Sequence, residues 1–487
     1  MISEDTTSAG WLPFEDFLAS PLRNGIYKGK EYHGRGAKVV NMGELFAYPR
    51  LSASVEMKRV ELTEKEVGSM SLIAGDLVFA RRSLTAEGAG KCSIVLGVEA
   101  PTTFESSIIR ARLDQTKANP AFFYYFFNSP IGKYQIGTIL RQVAVAGITG
   151  SDLAKLQVPD VAKDVQDYAA SILSVLDDKI ELNRQINQTL EQMAQALFQA
   201  WFVDFEPVKA KVAALADGRD PLRAAMSTLS GKTDAELDEL PGAAFDTLAA
   251  TAALFPEEME ESAEIPKGWE ISDIGQEVAV LGGGTPSTAN ADYWNGEFAW
   301  VTPRDLSRLA DKVLTMTERR ITKAGVQNIS SGQLPIGTVL LSSRAPIGYL
   351  ALTTIPVSIN QGFIAMVCSR RLPNMYVLQW ATQNLDAIKQ RGSGTTFAEI
   401  SKGNFRPMSV LVPDEKALAA FQRVTLPLYE QITTNVREAE TLATLRDSLL
   451  PKLLSGELAA TPEEQGPERR GIEKGVREGR GIERTWD

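Results

Sequence analysis

Few residues of this 487-residue chain combine the right type and spacing for catalysis. It has one histidine, His33, so a Ser-His-Asp arrangement cannot occur twice, and a surface or structural role is the default for it. Two cysteines, Cys92 and Cys368, lie far apart without a companion Cys or His, which supports neither a disulfide framework nor a zinc site. The stretch TAEGAGKC (85–92) approaches a phosphate-binding loop, but Thr85 stands where the first Gly is required and Cys92 where Ser or Thr is required. GGGTP (282–286) lets a backbone approach an anion, yet no Lys follows and Pro286 favours a turn. Asp414-Glu415-Lys416 sits at a helix start, where acids complement the dipole, and does not form a nuclease cluster. A chain with this inventory points to recognition more than to catalysis.

The elements that would carry recognition come in duplicate. Gly10-Trp11 is answered by Gly268-Trp269, LIAGDLVFARRS (72–83) by LPIGTVLLSSRA (334–345), NPAFFYYFF (119–127) by NMYVLQWAT (374–382), and LQVPD (156–160) by VLVPD (410–414). SLIAGDLVFA, CSIVLGV, GTVLLSS and FIAMVCS read as strands, and the aromatic runs at 122–127 and 376–380 as buried helix. Asn119-Pro120 reads as a helix start. The fold class expected is α+β.

Each copy runs into a long stretch with helical spacing. Residues 161–204 contain no Gly or Pro, and their apolar seam is read as Val165, Ile172, Ile186 and Met193 with Tyr168, Val175, Leu182 and Ala196, interrupted by Lys179 and Thr189. As one helix this stretch would measure about 66 Å. Residues 415–458 repeat Phe421, Leu428, Asn435, Leu442 and Leu449 every seven, supported by Val424, Ile432, Ala439 and Leu445. One Asn on such a seam fixes register at some cost in stability. Pro451 is expected to kink or end this helix.

The domain reading is 1–160 and 266–414 as two globular modules, 161–204 and 415–458 as the long helices, 205–265 as an acidic, partly helical connector, and 459–487 as a charged, disordered tail. The formal net charge of −10 is concentrated in the connector and the first helix, leaving both modules near neutral. No basic-then-apolar leader and no run of about 18 apolar residues is present, so the cytoplasm is expected and a membrane is not.

The segments GIYKGKEYHGRGAKVVNMGELF (25–46), GGGTPS with YWNGEFAWVTPRDL (282–306), SINQGF (358–363), LDDKIELNRQINQTLEQMAQALFQAWFVDFEP (176–207) and LRDSLLPKLLSGEL (445–458) resemble the specificity subunit of type I restriction-modification systems. The resemblance covers nearly the whole chain. It implies two target-recognition domains held apart by two conserved antiparallel helices, with an internal pseudo-two-fold repeat. It also implies double-stranded DNA as ligand, two methyltransferase subunits on the helices, and motor-nuclease subunits in the restriction complex. S-adenosylmethionine, ATP and Mg2+ would be carried by those partners and none by this chain.

On that reading two domains read two half-sites of DNA, and a rod of this length can address grooves about 34–36 Å apart, one helical turn. Candidate base and phosphate contacts lie in polar loops beside the expected strands: Lys28, Arg35, Arg81, Arg82 and Lys91 in the first domain, and Arg304, Ser343, Arg344, Asn360, Gln361, Arg391, Ser393 and Thr395 in the second. Leu182, Ile186, Leu190, Met193, Leu197, Trp201 and Phe202 exceed what one seam can bury and are the candidate partner face. Trp201 and Phe202 could instead cover the base of a recognition domain. Two rival classes stay open: a self-contained endonuclease or methyltransferase, and a coiled-coil scaffold with no DNA role.

Overall fold

A computed structural model describes residues 10–458 except 143–145, 261, 263, 395–397 and 456. The tail expected at 459–487 lies outside the described residues, as does Thr395. The chain divides into two compact units, one of Met1–Lys179 with Leu442–Asp487, the other of Ile180–Thr441.

In the first unit a five-stranded sheet runs in the order Leu18–Asn24, Ile108–Leu113, Leu77–Ala80, Cys92–Val95, Arg50–Leu51. A three-stranded sheet orders Lys58–Val60, His33–Val40 and Thr102–Phe104, the last two parallel. Leu77–Ala80 is buried along its whole length because both faces are covered. Leu77 and Phe79 enter one apolar cluster with the aromatic helix Pro120–Asn128, while Val78 and Ala80 enter another with Val40, Leu45 and Phe104. That two-sided burial is why the sequence there is a continuous apolar run. The Asn119 side chain caps the aromatic helix, accepting from the Ala121 amide at 2.9 Å, with Pro120 in its first turn.

The second unit repeats this plan strand for strand. Its five-stranded sheet orders Ala279–Gly282, Phe363–Val367, Val339–Ser342, Leu350–Thr353 and Val313–Leu314, and its three-stranded sheet Arg319–Ile321, Trp294–Val301 and Val357–Ile359. Even the irregularities recur: His33 and Ala37 both face Val60, and Trp294 and Phe298 both face Ile321. So do close approaches. A Cβ at Gly25 would lie 2.2 Å from the Phe104 carbonyl oxygen, and one at Gly283 2.0 Å from that of Ile359. Backbone packing therefore accounts for the glycine in GGGTP. TAEGAGKC leads into the strand Cys92–Val95, not the helix a phosphate-binding loop requires.

The long helices are Lys163–Phe202 and Glu415–Leu454, 40 residues each. In the first, Val165, Tyr168 and Ile172 of the apolar seam read from sequence pack against the core, but from Val175 onward that seam is out of phase with the buried one. Gln166, Leu173, Ile180, Asn187, Ala194 and Trp201, spaced seven apart, are buried, whereas Val175, Leu182 and Met193 are 66%, 49% and 48% exposed and Ile186 and Ala196 are also exposed. The reason is chemical: four buried positions, Gln166, Asp177, Asn183 and Asn187, are polar and find hydrogen-bond partners, so apolarity alone misplaces the stripe. In the second helix Phe421, Ile432 and Asn435 are buried as expected, but Thr425 replaces Val424 in the seam, and Val424 and Leu445 are exposed. Pro451 does not end that helix, which continues to Leu454. Pro427 also lies inside it, on an exposed face with Arg423.

Residues 205–265, read as a partly helical connector, form the helices Glu206–Ala216, Pro221–Ser230, Asp234–Asp238 and Gly242–Ala252. They have a small core of their own, Ala225, Met226, Leu237 and Ala252. Asp220 caps one helix, Thr233 and Glu236 form a capping box on the next, and Gly231 closes the former at φ 67°.

Candidate nucleic-acid interface

The candidate contacts fall into distinct places in each unit. In the first, Arg35 lies in the strand His33–Val40 of the three-stranded sheet with Lys28 just before it, and both are held by acids. Lys28 lies 2.8 Å from Glu66, and Arg35 makes two contacts with Glu61, at 2.5 and 3.1 Å. The Lys28 ammonium and two hydrogen bonds from Thr63 hold the Glu66 carboxyl down at about 2. Lys91 donates to the Phe46 carbonyl at 2.8 Å and lies over its ring, and burial with Lys133 nearby lowers its ammonium below the usual value.

Arg81 and Arg82 occupy a different element. Arg82–Ser83 pairs antiparallel with Ala146–Gly147, which pairs with Arg141–Gln142. Arg82 is exposed, and Arg81 donates its amide to the Ser107 carbonyl at 2.7 Å. The neighbouring Arg141, absent from the sequence reading, extends from the edge strand and pairs with Asp152 at 2.7 Å.

In the second unit most candidates converge. The Ser343 amide donates to the Gly362 carbonyl at 2.8 Å, and the Ser343 carbonyl accepts from Ile400 at 3.0 Å. This places Arg344 beside the Asn360-Gln361 turn. Asn360 bonds the Gly362 amide within that turn, and Gln361 accepts from Thr285 at 2.5 Å. Glu399 bridges Arg344 on one side and Ser393 on the other. Arg391 exchanges hydrogen bonds with Asn404 next to this group, and Arg304 is exposed 3.8 Å from Glu318. Ser343 itself is buried, 3% exposed, so its hydroxyl is withdrawn from the surface and its role is backbone pairing. Two further residues, Glu399 and Lys402, belong to the patch and were not singled out: Lys402 lies 3.1 Å from where a Gly282 Cβ would stand. Only the repeat would have revealed them, by placing Glu399 at the position of Gly147.

The candidate partner face separates into two sets. Leu182, Ile186 and Met193 are exposed on the first long helix. Trp201 and Phe202 are each 4% exposed inside the core of the second unit, stacked against Phe255, Phe421, Tyr376 and Trp269, with Leu190 and Leu197 packed partly beneath them. Covering the base of the domain is therefore what Trp201 and Phe202 do.

Within that unit the helices and the sheet are fastened by polar contacts. Glu191 accepts from Tyr429 and from Lys312, the latter at 2.7 Å, and Asn187 donates to Asp311 at 3.0 Å. Burial raises the Asp311 carboxyl above its usual value, with the Asn187 bond opposing it. In the first unit Asp177 plays the fastening role, accepting from Tyr125 at 2.8 Å and Arg446 at 2.7 Å.

Known proteins share this organisation. The sequence profile of the type I restriction modification DNA specificity domain matches residues 31–192 and again 266–432. This chain belongs to that family. It is 34% identical over 322 residues to the type I restriction enzyme HindI specificity subunit of Haemophilus influenzae, covering 62% of this chain and 69% of that one. It is 19% identical over 410 residues to the MjaX specificity subunit, described as putative, of Methanocaldococcus jannaschii, covering 82% of each. A crystal structure of a type I restriction-modification S subunit from M. genitalium superposes at a TM-score of 0.49 with 13% identity, over 93% of this chain and 97% of that one. The two profile matches fall one on each repeat, so the family has two recognition domains here, joined in sequence by the helix Lys163–Phe202. Among the described residues no group of His, Cys, Asp or Glu is placed to hold a metal, and no helix is long and apolar enough to cross a membrane.

Proposed function

We propose that this specificity chain is a recognition subunit without catalysis of its own, reading a split DNA target and directing adenine methylation or cleavage by partner subunits. The observation that carries the reading is the repeat itself: the same sheet orders and bulges occur twice, while the exposed side chains on the shared frame differ. Two copies of one scaffold with different surfaces suit two different half-sites. Two methyltransferase subunits would dock on the long helices, with Leu182, Ile186 and Met193 as apolar anchors. Motor-nuclease subunits would join for restriction, and S-adenosylmethionine, ATP and Mg2+ would sit on those partners. The complex would work in the cytoplasm.

The test is purification of the tagged chain from its host, alone and with whatever co-purifies. The chain alone, given DNA, S-adenosylmethionine, ATP and Mg2+, is expected to be inert, and the complex to methylate. DNA binding by the complex should weaken with salt at a slope of about −0.9 per phosphate neutralised. Methylation or cleavage by the chain alone would favour a self-contained enzyme, and salt-insensitive or absent DNA binding would favour a scaffold.

A further inference from the structure

The element formed by Arg82–Ser83, Ala146–Gly147 and Arg141–Gln142 recurs in the second unit as Arg344, Glu399 and Ser393, in the same order and with the same antiparallel sense. Its anchoring is also the same. The Ile148 amide donates to the Arg81 carbonyl at 3.0 Å, as the Ile400 amide does to that of Ser343, and both isoleucines are buried. What differs is the outward set. Position for position, Arg82 stands with Arg344, Gly147 with Glu399, and Arg141 with Ser393. None of the four charged side chains serves the apolar core: Arg82 is exposed, and the side chains of Arg141, Arg344 and Glu399 are 63%, 37% and 46% exposed.

Resting on the DNA-reading function above, we propose that this strand trio is where the two recognition domains choose different bases. Arg82 and Arg141 read a guanine edge in one half-site, and Glu399 accepts from the cytosine amino group in the other. Arginine matches the O6 and N7 acceptors of guanine in the major groove, and a carboxylate matches the cytosine N4 donor. A carboxylate facing DNA is repelled by phosphates, so its place on such a surface needs a donor on a base edge. Arg344, 3.7 Å from Glu399, offsets that repulsion, and Asp152, at 2.7 Å, fixes the direction of Arg141.

The experiment uses a host strain lacking this gene, complemented with the wild-type chain, E399Q, E399A, R141A or R141K, and maps methylated adenines across the genome. Wild type restoring a two-part motif is the control for the underlying function; failure of that control overturns the DNA-reading proposal itself. With the control met, E399Q and E399A are expected to lose discrimination at one position of one half-site by about tenfold or more, and R141A at one position of the other half, with R141K between R141A and wild type. An unchanged motif in all four variants, or an even loss of every site, overturns the inference, because a structural or phosphate-binding role would weaken all sequences alike.

Discussion

Asn435, on the buried seam of the second long helix, donates its side-chain amide to the Asn187 side-chain oxygen of the first helix at 2.8 Å. Asn435 also accepts from Gln431 at 2.8 Å, and its backbone carbonyl accepts from Asn183 at 3.3 Å. Asn183 and Asn435 stand at the same position when the two helices are aligned from Lys163 and Glu415, so two copies of one helix meet near their shared residue, as in an isologous contact. Replacing Asn435 with Ala removes the donor to Asn187 and the acceptor of Gln431 in a buried setting. A loss of about 1–3 kcal/mol in urea unfolding is expected. L182A, exposed on the first long helix, should stay within about 0.5 kcal/mol, and equal effects from the two would contradict this view of the seam.

The division of the apolar stripe gives a second test. W201A should destabilise by about 3–5 kcal/mol, since its ring packs against Phe202, Phe255 and Phe421. M193E should leave the unfolding midpoint unchanged and reduce recovery of methyltransferase subunits on the tagged chain. Reduced stability for M193E with normal recovery would show Met193 to be core.

Glu277 is buried, and Arg371 grips it at 2.7 and 2.8 Å while Ser272 donates at 2.6 Å. The Arg371 hydrogen bonds are the largest influence and hold the Glu277 carboxyl below its usual range. A depressed carboxylate contributes stability above its unfolded value of about 4.3 and loses it as pH falls through the lower folded value. Thermal melting of wild type against E277Q should therefore show a difference that is level from pH 8 to about 5 and narrows below about 4. A difference that grows on acidification would contradict the assignment. R371A, which strands the buried carboxylate, should cost about 3 kcal/mol near neutrality.

Lys28 is neutralised by Glu66, whose carboxyl stays ionised down to about 2. K28A should leave the affinity of the complex for DNA unchanged, whereas R82A, at an exposed arginine, should weaken binding to the cognate target more than to one altered in a single half-site. Fluorescence anisotropy across a salt series reads both. A reduction of the salt slope by about one in K28A would mean that Lys28 leaves Glu66 for phosphate.

Much of the architecture was legible because the signals were local and came twice. The strands around Leu77–Ala80 and Val339–Ser342 announced themselves as apolar runs bounded by turns, and Asn119-Pro120 as a helix start. The seam of the first helix was legible only as far as Ile172, because Asp177, Asn183 and Asn187 are buried through partners on distant segments that no local pattern reveals. The partly helical character of 205–265 was legible, but its own small core of Ala225, Met226, Leu237 and Ala252 was not, because alanines and acids read as linker. In the strand trio proposed to read bases, Arg344 and Ser393 had been singled out by residue type, whereas Glu399 had been passed over because an acid is not an obvious DNA contact. Ser343 was included because sequence does not show which residue of Ser342-Ser343-Arg344 turns inward.

The most direct test of the central claim is to map methylated adenines in the native host before and after deletion of this gene. The account expects one two-part adenine motif to lose its marks on deletion and regain them when the gene is restored. A methylation pattern identical in both strains, with the partner subunits present, would contradict it.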